Sequence, residues 1–282
     1  MKVLAAMDGS RYGQWALEWV GQMPWIVPPI ITALHVVNME AIRYPFMAQP
    51  LVIGNLPVIQ KEMKRAEARS KQVKAEMTEL FTSLKLKGKV LTARGAVAPA
   101  ILDRMPGRKG LIVLGSRGLD AVDRFMLGSV SKRVVHHASC SVLVVKEPMR
   151  PIRRLLLATD GSKPSERALQ FLIREIKPQT HAGVIEVLVL HIMPSLPHSE
   201  IKDRRKTFVH SYADKLEQAG FRVSEAWEVG HPSNEILKIA DRQHVDLIVA
   251  GAKGHGAVAR FFMGSVSTRL VEHSSCSVLV VR

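Results

Sequence analysis

Two aspartates, Asp8 and Asp160, each end an apolar run and stand before Gly-Ser. Two later segments carry glycine and serine at one shared spacing. GSRGLDAVDRFMLGSVS places Gly115, Gly118, Gly128 and Ser129; GAKGHGAVARFFMGSVS places Gly251, Gly254, Gly264 and Ser265, with ten of seventeen positions identical. An apolar run precedes each segment and an amphipathic helical pattern follows it. Glycine lacks Cβ, so Gly115 and Gly118 let a backbone turn sharply and approach a ligand. A helix start leaves unpaired N–H groups that favour an anion, and Ser129, Ser131, Ser265 and Ser267 add hydroxyl donors. Arg117 and Lys253 share one position inside the two loops, giving each a cation. The chemistry this spacing suits is anion binding. A single copy could equally be a structural turn and cap, but the repetition between a strand pattern and a helix pattern favours a ligand.

Other chemistries find less support. GxxxxGK(S/T) does not occur, and the first strand–helix turn, MDGS, lacks GxGxxG. The serines of SVS have no evident histidine–carboxylate pair in sequence. Two cysteines, Cys140 and Cys276, fall at matching points in SCSVLVV; without CxxC they read as packed thiols rather than zinc ligands. His35 and His191 recur at strand ends, as structural imidazoles more readily than catalytic ones. Asp8 and Asp160 also suit a helix cap or turn, which does not exclude ligand contact.

Composition limits the partners. The chain of 282 residues is 47% hydrophobic with a formal net charge of +15. Residues 1–150 hold 22 Lys/Arg and 11 Asp/Glu, a net of +11, against 18 and 14 (+4) in residues 151–282. Much of the excess lies in KEMKRAEARSKQVKAEMTEL (61–80), where acids at i,i+4 spacing suggest an ordinary solvated helix face. Aromatic content is only 5%, so specific nucleic-acid recognition is not expected. No apolar run reaches membrane-span length, and the opening residues are unlike a signal peptide. A cytoplasmic chain without membrane attachment is expected.

The elements that must position these residues come twice. VLAAMDGS (3–10) matches LLLATDGS (155–162) at an offset of 152, and ALHVVNM matches VLHIMPS at 156. LIVLGSRG matches LIVAGAKG, and SCSVLVVK matches SCSVLVVR, both at 136. The first copy is therefore longer in its middle, where RYPFMAQPLVIGNLP (43–57) reads as a loop or lid. Strand patterns KVLAAM, IITALHVV, KVLTA, LIVLG and SVLVV alternate with helical ones, and RLLLAT, VIEVLVLHI, RVSEAW, LIVAG and SVLVV repeat them. This alternation predicts two α/β domains, each a doubly wound parallel sheet. The expected units are residues 1–147 and 153–282, joined by a linker at 148–152. Ligands of such folds sit beyond the carboxyl ends of the strands.

With Gly-x2-Gly-x9-Gly-Ser after the fourth strand, Asp-Gly-Ser after the first and a closing SCSVLVV, the chain resembles the universal stress protein family over nearly its whole length, as two tandem units. The resemblance implies a flavodoxin-like strand order, 3-2-1-4-5, with the two fifth strands paired across a dimer or pseudo-dimer interface. It also implies the ATP-binding branch of the family. Carried over, Asp8 and Asp160 lie near adenosine, Val36 and Ile192 face adenine through their backbone, and Gly95 and Gly230 follow the third strand. Gly115 and Gly118, with Gly251 and Gly254, line ribose and phosphates. Gly128, Ser129 and Val130, with Gly264, Ser265 and Val266, hold the triphosphate. The family often has Cys-Pro where this chain has Cys140-Ser141 and Cys276-Ser277, and an aspartate before the fourth strand that is Asp246 here but Gly110 in the first copy.

The expectation is a tandem ATP-binding stress sensor or regulator, its ligand being ATP alone or with Mg²⁺ bridged to the phosphates, in one or both halves. It includes an intramolecular pseudo-dimer, further pairing of tandem chains and an unnamed protein partner. Slow ATP hydrolysis or self-phosphorylation, and a nucleotide-free scaffold for a protein or polyanion, are the alternatives. Asp120 and Asp123 in the first loop face Gly256 and Ala259 in the second, so the less acidic second loop is expected to hold ATP better.

Overall fold

The structure, a computed structural model, describes residues 1–40, 56–118, 127–193, 202–254 and 263–282. The expected lid at 43–57 lies largely outside them, as do Asp120, Asp123, Gly256 and Ala259.

The first half runs β1 (Lys2–Met7), α1 (Arg11–Gln22), β2 (Ile30–Asn38), α2 (Leu56–Ser83), β3 (Gly88–Gly95), α3 (Val97–Leu102), β4 (Leu111–Gly115), α4 (Ser129–His137) and β5 (Ser141–Val145). The second runs β6 (Arg154–Ala158), α5 (Lys163–Glu175), a small hairpin of β7 (Gln179–Thr180) and β8 (Gly183–Val184), β9 (Glu186–Met193), α6 (Lys202–Gln218), β10 (Arg222–Val229), α7 (Pro232–Arg242), β11 (Leu247–Gly251), α8 (Ser265–His273) and β12 (Ser277–Val281). The hairpin takes Val184 away from the strand expected to begin there, so β9 starts at Glu186.

Each half has the strand order 3-2-1-4-5, parallel throughout, and the halves join into one ten-stranded sheet: β10-β9-β6-β11-β12-β5-β4-β1-β2-β3. The junction is antiparallel, with Leu143 opposite Leu279, Val144 opposite Val278 and Val142 opposite Val280. Central strands such as LIVLG and SVLVV are buried at every position because helices cover both faces. Val3, Ala5, Leu143, Leu157 and Leu279 meet α1, α2, α5 and α6 on one face. Leu4, Ile112, Val142, Leu156 and Val278 meet α3, α4, α7 and α8 on the other.

The seam adds polar ties. Backbone N–H of Lys146 donates to Ser277 Oγ (3.2 Å), and that of Arg282 to Ser141 Oγ (3.3 Å). These serines stand where the resembled family often has proline, so the departure bears on the junction and not on ligand chemistry. Lys132 and Glu272 pair across the same seam at 2.8 Å. Asp246 accepts from the backbone N–H groups of Arg153 and Arg154 (2.8 and 2.9 Å), fixing the entry to β6. Cys140 and Cys276 are free and buried, and burial pushes each thiol up to about 11. No helix among the described residues is long and apolar enough to cross a membrane.

Candidate functional site

Each first strand delivers its aspartate to the carboxyl edge of the sheet. Asp8 does not cap α1; Ser10 does, its Oγ accepting from Gly13 N–H at 3.2 Å. Asp8 Oδ1 instead accepts from the Ser10 N–H (3.0 Å) and hydroxyl (2.6 Å), closing a tight side-chain turn. In the second half Asp160 Oδ1 accepts from Ser162 N–H at 3.0 Å, and Ser162 caps α5.

The glycine segments divide into two roles. A Cβ on Gly115 would lie 2.6–2.8 Å from Tyr12 atoms, two of them backbone, and one on Gly251 equally close to Pro164. These two glycines let the fourth strand touch the first helix, a packing demand that the sequence reading did not separate from ligand approach. A Cβ on Gly118 would stand 2.6 Å from Asp8 Oδ2, and one on Gly254 2.6 Å from Asp160 Oδ2. Gly95 and Gly230 take positive φ at the ends of β3 and β10, +138° and +154°, a backbone state that favours glycine. Gly95 pairs with Asn38.

Gly128 N–H donates to Ser116 O and Gly264 N–H to Ala252 O, both at 2.8 Å, so each loop closes on its own strand end. The buried Ser131 and Ser267 hydroxyls donate to Gly115 O and Gly251 O, both at 2.7 Å. Their single hydroxyl hydrogens are engaged, so these serines tie helix to strand instead of adding the donors expected of them. Ser129 and Val130, like Ser265 and Val266, open the helix beside them. The N-caps of α4 and α8 are Gly128 and Gly264, with no side-chain cap among the described residues, unlike the serine-capped α1 and α5.

In the first half these parts surround a cavity of about 420 Å³. Asp8, Gly115, Arg117, Gly118 and Gly128–Ser131 line one side, and His35–Asn38 with Val97 and Ile101 the other. Val36 is 8% exposed, and its counterpart Ile192 in β9 is 6% exposed. His35 Nδ1 donates to Met7 O (3.0 Å) and His191 Nδ1 to Thr159 O (2.8 Å); a carbonyl only accepts, so each Nδ1 carries the hydrogen. Both imidazoles are buried strand ties.

Two contributions escaped the sequence reading. Ala66, Arg69 and Ser70 of α2 also line the cavity, so the stretch at 61–80 is not wholly a solvated face. The signal was the small and apolar series Ala66, Ser70, Val73 and Met77, which recurs at helical spacing within a charged helix. Tyr12 is the second. Arg117 Nη1 donates to its hydroxyl oxygen at 2.8 Å and Arg11 Nη2 at 3.2 Å. Burial raises the phenol, but these hydrogen bonds and the two positive charges outweigh it and hold the group below its ordinary value. The second half has Lys163 and Pro164 at the matching positions, so Lys253 has no equivalent phenol beside it.

Phe208 distinguishes the second half further. Its ring meets His191 edge-on at 5.1 Å, and it packs on Gly161 where the first half has Val73 on Gly9. No group of three or more His, Cys, Asp or Glu among the described residues could hold a metal. Among the described residues, the first-half cavity instead combines two arginines, an open helix start and one carboxylate.

Comparison with known proteins fits this layout. The sequence profile of the universal stress protein family matches residues 1–146 and again 151–282. A universal stress protein from Mycobacterium tuberculosis is 26% identical, covering 99% of this chain and 94% of that protein. The crystal structure of a universal stress protein from Archaeoglobus fulgidus shares the fold, with a TM-score of 0.72 and 22% identity, over 100% of this chain and 98% of that one. A family structure from Arabidopsis thaliana with AMP bound is 21% identical and covers 46% of this chain and 90% of its own, with a TM-score of 0.33. Two repeats of one sheet, two matches to one profile and full-length relatives agree: the chain belongs to the universal stress protein family.

Proposed function

We propose that this protein binds ATP in the first-half cavity, alone or with Mg²⁺ bridged to the phosphates, and acts as a nucleotide-dependent regulator. The observation that carries this reading is the glycine-capped start of α4, which opens on a cavity that Arg117 and Arg69 also line. Backbone N–H groups at a helix start and two guanidinium groups suit a polyphosphate. The apolar Val36, Val97 and Ile101 suit a base. Asp8 is the acid lining the cavity among the described residues, locked by Ser10, and its position beside Gly118 suits a ribose hydroxyl. Mg²⁺, when present, would offset phosphate charge and arrive on the nucleotide, since no acidic cage awaits it among the described residues.

The second half repeats Asp160, Ile192, Gly251, Gly254 and Gly264–Ser267 in the same relations, with Lys253 for Arg117, and a second nucleotide there belongs to the same proposal. Regulation would follow if nucleotide binds one arrangement of the loops better than another, shifting their populations. Denaturing the purified protein and assaying the released nucleotide tests the reading, together with melting in added ATP. A ligand at one hundred times its Kd stabilises by roughly 2.7 kcal/mol. Absence of both released nucleotide and an ATP-dependent shift would end the proposal.

A further inference from the structure

The opposite end of the first half, where its strands begin, carries a second feature that the nucleotide reading leaves unused. Residues 24–30, PWIVPPI, connect α1 to β2 and leave Val27 63%, Ile30 59% and Ile26 42% exposed. Behind them lies a groove of about 340 Å³ with Trp25, Pro28 and Pro29 on one wall and the α2–β3 turn on the other. Among the described residues, Lys85, Lys87 and Lys177 line it and no carboxylate does. None of these lysines has an ion pair among the described residues. The groove uses both halves: Ile26 N–H donates to Glu175 O (2.8 Å) and Lys177 N–H to Pro24 O (2.6 Å), with Trp25 bridged to Ile176.

The second half shows what this position can accept. Lys85 and Gly220 occupy matching turns, both with positive φ (+52° and +94°). There the connection is four residues longer, since the repeat offset grows from 152 to 156, and it carries the β7–β8 hairpin. Pro178 at its base stands against the turn, 3.1 Å from where a Gly220 Cβ would lie, and accepts from Ile185 N–H at 2.7 Å. In the second copy Pro178, at the base of the hairpin, thus stands against the turn, whereas in the first copy the turn borders a groove lined by lysines.

We propose that this groove is a docking site for a partner protein, which inserts a short aliphatic or proline-bearing segment flanked by aspartate or glutamate. Charge complementarity selects the acidic flanks, and the exposed Val27 and Ile30 extend the apolar contact. Concavity favours a protein over an anionic membrane, because a bilayer surface offers no side chain to enter a groove. Nucleic acid fits poorly, since the Trp25 ring is 5% exposed and not open to base stacking. This reading is independent of nucleotide binding.

The test is selection of a random dodecapeptide display library on the full chain, followed by anisotropy of the enriched peptides. Enrichment of acidic residues around Leu, Ile, Val or Pro is expected. Binding should weaken at least about tenfold in Lys85→Glu/Lys87→Glu/Lys177→Glu, the scale expected when several exposed ion pairs are removed together, and should also fall with added salt. Val27→Asp should weaken it independently, and both variants should keep the parent melting temperature within a few degrees. Peptides without acidic bias, or equal affinity for the lysine variant, would overturn the proposal. So would lysine-dependent binding to phosphatidylserine vesicles with no peptide enriched.

Discussion

Gly118 and the carboxylate of Asp8 lie so close that a methyl group on the glycine would stand 2.6 Å from Oδ2. A methyl group on Gly254 would stand equally close to Asp160 Oδ2. The loop after the fourth strand and the turn after the first are therefore fitted to each other in both halves. Each aspartate is held through one oxygen by the neighbouring serine N–H, and the facing glycine leaves room for the other.

Two glycines three residues apart should fail in different ways. Gly118→Ala presses on the end of a side chain and should weaken ATP binding with little change in melting. Gly115→Ala presses on the backbone of α1, which cannot move alone, and should cost roughly 1–3 kcal/mol of stability as overpacking does. Urea unfolding and nucleotide titration of both variants separate the outcomes. Equal losses of stability in the two would refute the division of roles.

Lys146 supplies a pH signature for the seam. Its ammonium donates to Ser274 O across the junction, and burial lowers it to about 8. The unfolded chain keeps that proton up to the ordinary value of 10.5, so between these limits the unfolded state binds more protons. Stability therefore rises with pH across this range and is lost as pH falls through 8. Burial of Cys140 and Cys276 acts oppositely from about pH 8 upward, because the unfolded thiols, with an ordinary value of 9.0, ionise first. From pH 8 to 9 the lysine contribution is up to about 1 kcal/mol. Between pH 8 and 9 the urea midpoint should rise relative to that of Lys146→Met, which keeps only the opposing thiol effect; parallel curves for the two proteins would dismiss it.

The Lys132–Glu272 pair joins the halves but is weak by placement. Its side chains are 56% and 24% exposed, which predicts a coupling of about 0.2–1 kcal/mol that fades in high salt. A double-mutant cycle with Lys132→Met and Glu272→Gln, run at low and high salt, measures it. A larger, salt-insensitive coupling would mean that the pair is effectively desolvated.

Much of this architecture was readable because parallel strands buried on both faces leave continuous apolar runs. LIVLG, SVLVV and LIVAG are such runs, and their repetition exposed the tandem plan. The β7–β8 hairpin was not readable, since its two-residue strands carry no period. At the site, sequence marked the glycine spacing but could not separate Gly115, which admits a helix, from Gly118, which admits a carboxylate. Both requirements leave the same letter. Asp8 as cap or turn was equally ambiguous until Ser10 proved to be the cap. Arg69 and Ser70 were hidden because α2 reaches the cavity through tertiary packing, which adjacent residues do not encode.

The antiparallel register of β5 against β12 has a directional result. Each half-sheet is parallel within itself, so the carboxyl edges of the two halves point in opposite senses along the strands. Asp8 and Asp160 therefore belong to opposite rims, and no single small molecule can span them. If the rims are to influence each other, the message must pass through the contacts between the halves: the β5–β12 seam, the Lys146 and Lys132 ties beside it, and the Trp25–Ile176 bridge. The protein is built back to back, as two outlooks sharing one wall.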